Sequence, residues 1–218
     1  MTAAEMYQPG YHAPPDTASM LDLVSRTRLA TMITVVDGEP VIDHLPFVLK
    51  RQQGPLGTLE AHVARANPIG AQLARGVAVT VVFQGPAHYL SPAWYPTKAD
   101  TGAVVPTWNY TAVHARGLVT VVEDRAALLP MLERLTAANE VPLHGDDHWR
   151  VADAPAAYIA PMLDAIVGFE IAITDLQGRW KLAQDEALAD RQGAVAGLRR
   201  TGCPNARAMS DLIESTLP

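Results

Sequence analysis

The chain has 218 residues, 49% hydrophobic and 18% charged, which reads as globular rather than disordered and suits one large domain, or one and a half, with a sizeable core. A formal net charge of −6 and a pI near 5.6 argue against a broadly basic nucleic-acid-binding surface. Cys203 is the only cysteine, so no intramolecular disulfide or cysteine-based zinc site is possible. No apolar run suits a membrane span or a signal-peptide core, and the cytoplasm is the expected compartment.

Residues 1–15, with Pro9, Gly10, Pro14 and Pro15, read as an extended arm. Asp16 is placed to N-cap a helix through Arg26, with Met20, Leu21, Leu23 and Val24 on one side. Leu29 to Val36 is rich in β-branched residues, and Asp37-Gly38 is a tight-turn signal into Val41 to Lys50, which predicts a hairpin. Pro46 forfeits a ladder N–H and marks a sheet edge or bulge. A third strand is predicted over Gly57 to Val63. Asn67-Pro68 then reads as a helix start that Gly76 ends. Val77 to Phe83 is almost wholly apolar, as expected for a strand buried on both faces.

Two strands, Val104 to Tyr110 and Ala112 to Val122, are predicted after the Thr101-Gly102 turn. Asp124 can cap a helix striped by Leu128, Leu132 and Leu135 and kinked or restarted at Pro130. Gly145 to His148 reads as loop, Ala154 to Ala165 as helix and Val167 to Thr174 as strand. A short strand over Trp180 to Gln184 follows the Gln177-Gly178 turn, and residues 186–217 read as helical around a break at Gly202-Cys203-Pro204. About six strands joined by short turns, with no βαβ alternation and no G-x-G-x-x-G or Walker loop, predict an α+β fold, mainly β. That architecture is a small closed barrel over residues 1–184 with peripheral helices, followed by a helical extension over 185–218.

The window from Tyr89 to Gly117 holds two of the four Trp and three of the six Tyr, stiffened by Pro92, Pro96 and Pro106. Rings beside polar Ser91, Thr107, Asn109 and His114 suit either a pocket for a flat polar ligand or a core aromatic cluster. His62-Val63-Ala64-Arg65-Ala66-Asn67-Pro68 places a His and an Arg before a helix start, where free N–H groups and a guanidinium favour an anion. Taken alone, the same residues read more simply as an ordinary capped helix with a solvated Arg65. His44 lies in an otherwise apolar strand, as a satisfied polar residue or as a hydrogen-bonding group at a ligand edge. Lys181, in Trp180-Lys181-Leu182-Ala183-Gln184, is a second candidate cation or a surface lysine. There is no G-x-S-x-G for a serine hydrolase. His144 and His148 are four apart, but Gly145-Asp146-Asp147 between them reads as loop, so no metal site is expected.

Several ordered motifs resemble the PaiB-type FMN-binding negative transcriptional regulators, within the flavin-binding split-barrel superfamily that includes pyridoxamine-phosphate oxidase. They are Asp43 to Phe47, His62 to Pro68, Tyr89 to Tyr95, Val105 to Tyr110, Ile166 to Ile171 and Trp180 to Leu182, with Leu135-Thr136 and Glu140. The resemblance runs from Met6 to about Leu198 and implies a homodimeric split β-barrel with FMN near the dimer interface. It places His44, Leu45 and Pro46 along the isoalloxazine ring, and His62, Arg65 and Asn67 at the phosphate end. Trp108, Asn109, Lys181 and Gln184 are implied as further contacts, with no catalytic residue and no metal. Ala183, Asp185 and Glu186 depart from the family's usual Ser, Asn and base, setting two carboxylates near the expected phosphate at a cost on the order of 1 kcal/mol. No helix-turn-helix stands out, so DNA as a partner rests on the resemblance and on the cluster Arg191, Arg199 and Arg200. An FMN-dependent oxidoreductase, and a haem-binding or cofactor-free split barrel, are the competing readings.

Overall fold

The structure, a computed structural model, describes residues 5–218; the first four residues of the expected arm lie outside them. It divides into two compact units, one formed by residues 24–83 and 114–176, the other by the described residues up to Leu23 with 84–113 and 177–218. The strands are β1 (Leu29–Val36), β2 (Glu39–Pro46), β3 (Val48–Lys50), β4 (Thr58–Ala64), β5 (Ala78–Leu90), β6 (Thr107–Val122) and β7 (Ile166–Lys181). The helices are α1 (Thr17–Arg26), α2 (Ile69–Leu73), α3 (Thr97–Asp100), α4 (Arg125–His144), α5 (Ala156–Asp164), α6 (Leu188–Thr201) and α7 (Pro204–Glu214). Among the described residues no helix is long and apolar enough to cross a membrane.

The seven strands form one sheet in the order β2-β1-β5-β6-β7-β4-β3. β2 and β3 are its two edges, yet Phe47 alone separates them in sequence, so one residue joins the edges and the sheet must curl. Pro46, which cannot donate to a ladder, ends β2 at that join. The β1–β2 hairpin turns at Asp37 (φ 52°) and Gly38 (φ 89°), the pair of positive φ values that a two-residue hairpin turn requires.

Alternation decides what fills the barrel. Met32, Leu59, Val81 and Ile171 are fully buried, and the chain's three phenylalanines meet there. Phe47 packs edge-to-face on Phe83 and Phe169, with centroids 6.0 and 6.4 Å away. At Gly117 a Cβ would stand 2.2 Å from the Ala172 carbonyl oxygen, so glycine permits the close approach of β6 to β7. On the outer side of β7, a Cβ at Gly168 would meet Leu128 at 2.5 Å and Met131 at 3.0 Å, which shows how tightly α4 lies on the sheet.

In the other unit, α6 and α7 form a hairpin with Gly202 (φ 72°) as the left-handed cap between them. Cys203 caps α7, its Sγ accepting from Ala206 N at 3.4 Å. Gly193 and Gly197 are one turn apart on α6 and form a notch for Trp94. A Cβ at Gly193 would be 2.1 Å from the Trp94 carbonyl oxygen, and one at Gly197 2.2 Å from the indole ring. Asp190, 2% exposed, accepts the backbone N–H of Thr97 at 3.0 Å and ties α3 to α6.

Several expectations are corrected. The two predicted strands across Tyr110–Ala112 are one 16-residue β6, because no turn residue interrupts its alternation. β7 likewise runs unbroken through Gly178. That glycine makes room for Met20 and Trp180, whose atoms a Cβ would meet at 2.8 and 2.9 Å, rather than turning the chain. The segment beginning at Val77 is buried on one face only: Val79, Val81 and Phe83 point inward while Ala78, Thr80 and Val82 do not. α4 continues past Pro130 and Pro142 to His144, anchored on the sheet by buried Leu128 and Met131. The described part of the arm contains a 3-10 turn at Gly10–His12.

Candidate functional site

The barrel unit carries six of the expected contacts, and strand pairing sorts them. Leu29 faces Pro46, Thr31 faces His44, Ile33 faces Ile42 and Val35 faces Pro40, and directly opposed residues share a face. This row looks outward: Leu29 is 65% exposed, Val35 62% and Ile42 56%. The row continues onto β5, where Thr31 faces Val82 and Ile33 faces Thr80. His44 Nδ1 lies 3.1 Å from Thr31 Oγ1. Leu45 faces buried Ala30, so its side chain is on the other face and only its backbone joins the row.

His62 faces Gly168, on the sheet side that α4 covers. Burial lowers the pKa of its imidazole, and its Nδ1 is buried without a hydrogen-bond partner. The neighbouring pair on that face is Glu60 and Glu170, two carboxylates held by two cations. Arg134 Nε and Nη2 donate to Glu60 at 2.8 and 2.7 Å. Lys50 Nζ reaches Glu60 at 2.9 Å and Glu170 at 2.5 Å. Burial alone would raise the Glu60 carboxyl, but hydrogen bonds from Arg134 and Lys50 outweigh it and hold the pKa below the ordinary value.

Arg65 directs its guanidinium at its own unit. Nε donates to the Asp164 carbonyl at 3.0 Å, Nη2 to the Ile166 carbonyl at 3.1 Å and Nη1 to Glu123 at 2.9 Å. Asn67 Oδ1 accepts from Ile69 N at 3.0 Å, and its Nδ2 donates to Asp43 at 3.1 Å. The helix after it, α2, has five residues. Its aligned dipole is therefore short, so any attraction for an anion here comes from Arg65 rather than from the helix.

The second unit holds the other four. Trp108, 59% exposed, meets Tyr89, 41% exposed, edge-to-face at 6.2 Å. Asn109 is fully buried, and neither of its amide atoms has a hydrogen-bond partner among the described residues, nor does the hydroxyl of Thr111 two residues along. A buried amide left unpaired is costly, and a water or another outside polar group can meet it. Lys181 Nζ donates to Thr107 Oγ1 at 2.5 Å and keeps further protons to give. Gln184 accepts from Leu182 N at 2.7 Å and donates to the Trp180 carbonyl at 2.6 Å, clamping a turn that holds Ala183 at φ 60°.

The aromatic window thus divides. Trp94 is spent on the α6 notch, and Tyr95 is buried with its hydroxyl unpaired. Burial, then Glu186, Asp190 and Asp185, push the Tyr95 phenol up to about 12. Burial, followed by Asp185 and Asp190, also raises the Glu186 carboxyl, against the pull of Lys181. From the sequence, Tyr95 was legible only as part of the aromatic window, and the Glu60 cluster and the stacking of Arg179 between Tyr7 and Tyr110 at 5.3 and 5.5 Å were not found. The available signal was Glu60 itself, a carboxylate in a strand that also carries buried Leu59, Ala61 and Val63.

Each unit carries groups of the kind a flavin uses: the barrel unit has an outward apolar row with an imidazole, which suits a flat ring, and the other unit has the Asn109 amide and the Lys181 ammonium, which suit a polar edge and an anion.

A family model described as "Putative FMN-binding domain" matches residues 6–175. The uncharacterized protein AN0679 of Emericella nidulans is 31% identical over 241 residues, covering 95% of this chain and 96% of its own length. The protease synthase and sporulation protein PAI 2 of Bacillus subtilis is 30% identical over 215 residues, covering 97% and 98%. Among solved structures, the FAD and heme binding protein from Mycobacterium smegmatis aligns with a TM-score of 0.60 at 20% identity, over 81% of this chain and 77% of that one. The flavocytochrome Anf3 from Azotobacter vinelandii aligns at 0.59 and 13% identity, over 83% and 74%. These two share the fold.

Proposed function

The chain belongs to the PaiB-type FMN-binding domain family of split barrels, and from that premise we propose a cytoplasmic homodimer that binds FMN and acts as a negative transcriptional regulator. The observation that carries this reading is the outward row of Leu29, Ile33, Val35 and Ile42, in line with His44 and Pro46. A contiguous apolar strip on the outside of a barrel favours a covering surface, and a second copy together with a flavin ring provides one.

FMN, when bound, supplies redox chemistry that no side chain here can. In this reading His44, Pro46 and the Leu45 backbone bind and orient the ring. Asn109 is assigned to a polar edge of the flavin; Trp108, its neighbour on β6, points to the opposite face and is assigned no contact with the ring. Lys181 meets the phosphate, while Gln184 holds the turn that aims the Lys181 segment. His62, Arg65 and Asn67 are assigned to the phosphate end. Arg65 would exchange Glu123 for phosphate, a cheap exchange because that ion pair is exposed on both sides, 48% and 63%.

DNA contact would be modest. Arg191 Nη2 donates to the Thr216 carbonyl and hydroxyl at 2.6 Å, and Arg199 pairs with Glu214 at 2.5 Å, so two arginines of the expected basic cluster are spent inside the α6–α7 hairpin. A second reading, an FMN-dependent oxidoreductase, is favoured by the exposure of Trp108 and Tyr89, which leaves an open aromatic surface for a substrate. The absorption spectrum of freshly purified protein, with chromatography of the released cofactor, tests the binding claim. Flavin bands and FMN support it; a Soret band or FAD refutes it. Salt-sensitive retention of promoter DNA without turnover of a reduced nicotinamide supports regulation, and turnover without DNA binding supports the second reading.

A further inference from the structure

The N-terminal arm is fastened to β7 through Arg179. Met6 N donates to Gln177 Oε1 at 2.8 Å, and Arg179 Nη1 donates to the Tyr7 carbonyl at 3.3 Å. The Arg179 guanidinium stacks between the rings of Tyr7 and Tyr110. The arm's last anchor is His12, 2% exposed. Its Nδ1 lies 3.4 Å from Arg179 Nη2, and its Nε2 lies 3.8 Å from Asp185 Oδ1 with no hydrogen-bond partner among the described residues. Arginine only donates, so Nδ1 must accept; the ring is neutral, with its proton on Nε2 facing Asp185.

A second proton reverses this arrangement. Nδ1 becomes a donor aimed at a donor, and the arm gains a cation beside Arg179 and Lys181, opposed among the described residues by Asp185. Asp185 is 45% exposed, and its attraction is correspondingly screened.

We propose that His12 is a proton-operated latch on the N-terminal arm, docked when the imidazole is neutral and released when it is charged. Release uncovers Arg179, which shares a strand face with Lys181 two residues on. Burial lowers the His12 pKa below 6.5, Asp185 pulls it back up, and Arg179 and Lys181 push it further down. The docked arm therefore binds fewer protons than the free one. Its stability is intact above the free-histidine value near 6.5 and declines as pH falls below it. The latch stands on the arm's own contacts and does not depend on a bound flavin.

Hydrogen exchange of the full-length protein, scaled for intrinsic chemical rates, tests it at about pH 7.5 and about pH 5.5, alongside His12→Gln. Wild-type peptides covering the arm should lose protection on acidification by up to about tenfold per pH unit, with the barrel peptides unchanged. His12→Gln should show the same arm protection at both pH values, whatever its level. Equal wild-type protection at both values, an acid loss in His12→Gln matching wild type, or parallel loss across the barrel overturns the latch.

Discussion

Removing the charge of Glu60 should destabilise the barrel unit by about 3 kcal/mol. The Glu60 side chain is 2% exposed and accepts three charge-assisted hydrogen bonds, two from Arg134 and one from Lys50, while Glu170 directly across the ladder leans on the same Lys50. Glu60→Gln leaves two cations facing one carboxylate and turns an amide N–H toward donors. One-sided loss of a buried pair costs roughly 3–5 kcal/mol. The low end applies because the Arg134 side chain is 43% exposed and can return to water. At about 2–4 °C per kcal/mol for a chain of this size, the melting midpoint should fall by about 9 °C. The effect has a pH signature. The folded-state pKa of Glu60 lies below its ordinary 4.5, so its contribution is complete above that value and disappears as pH falls through the folded pKa. Urea denaturation followed by circular dichroism should give a constant gap between the two proteins at neutral pH that closes in acid. A gap under about 0.5 kcal/mol at neutral pH, or one that widens on acidification, would refute the reasoning.

Gly197→Ala should lower stability by about 1–2 kcal/mol in urea titrations, because the new Cβ meets the Trp94 ring at 2.2 Å and overpacking outweighs alanine's helix preference; a gain would show that Trp94 simply moves. If the outward row is the interface of the proposed dimer, Ile42→Lys should lower the mass in light scattering from that of two chains to that of one, since it charges the row, and an unchanged mass would remove that row from the interface. Glu186→Gln should tighten FMN binding about fivefold in a fluorescence titration by relieving like charge near Lys181, whereas weaker binding would mean that the carboxylate itself contacts the cofactor.

Much of the fold was legible because local chemistry and tertiary structure agree. Asp16 and Asp124 cap the helices their positions suggest, and Asp37-Gly38 turns the hairpin. Gly178 and Tyr110–Ala112 were misread because a glycine needed for packing looks like a turn glycine, and because a 16-residue strand is longer than alternation alone leads one to expect. In the candidate site, residue types were readable but their engagements were not. Arg65, Asn67 and Gln184 looked like free ligand donors, yet each is satisfied by backbone or carboxylate groups. Asp164 and Asp43, the partners of Arg65 and Asn67, lie 99 and 24 residues away, beyond any local pattern, whereas Gln184 bonds to Leu182 and Trp180 across its own turn. The aromatic window divided for a similar reason: only the α6 glycine notch distinguishes Trp94, which packs, from Trp108, which stays exposed.

Whether this barrel binds FMN is decided by the ultraviolet–visible spectrum of freshly purified protein, followed by titration with FMN if the preparation is colourless. Flavin absorption bands are expected, either as purified or as a saturable, quenched FMN complex at about one per chain. A colourless protein that neither perturbs FMN fluorescence nor gains thermal stability from it would refute FMN binding.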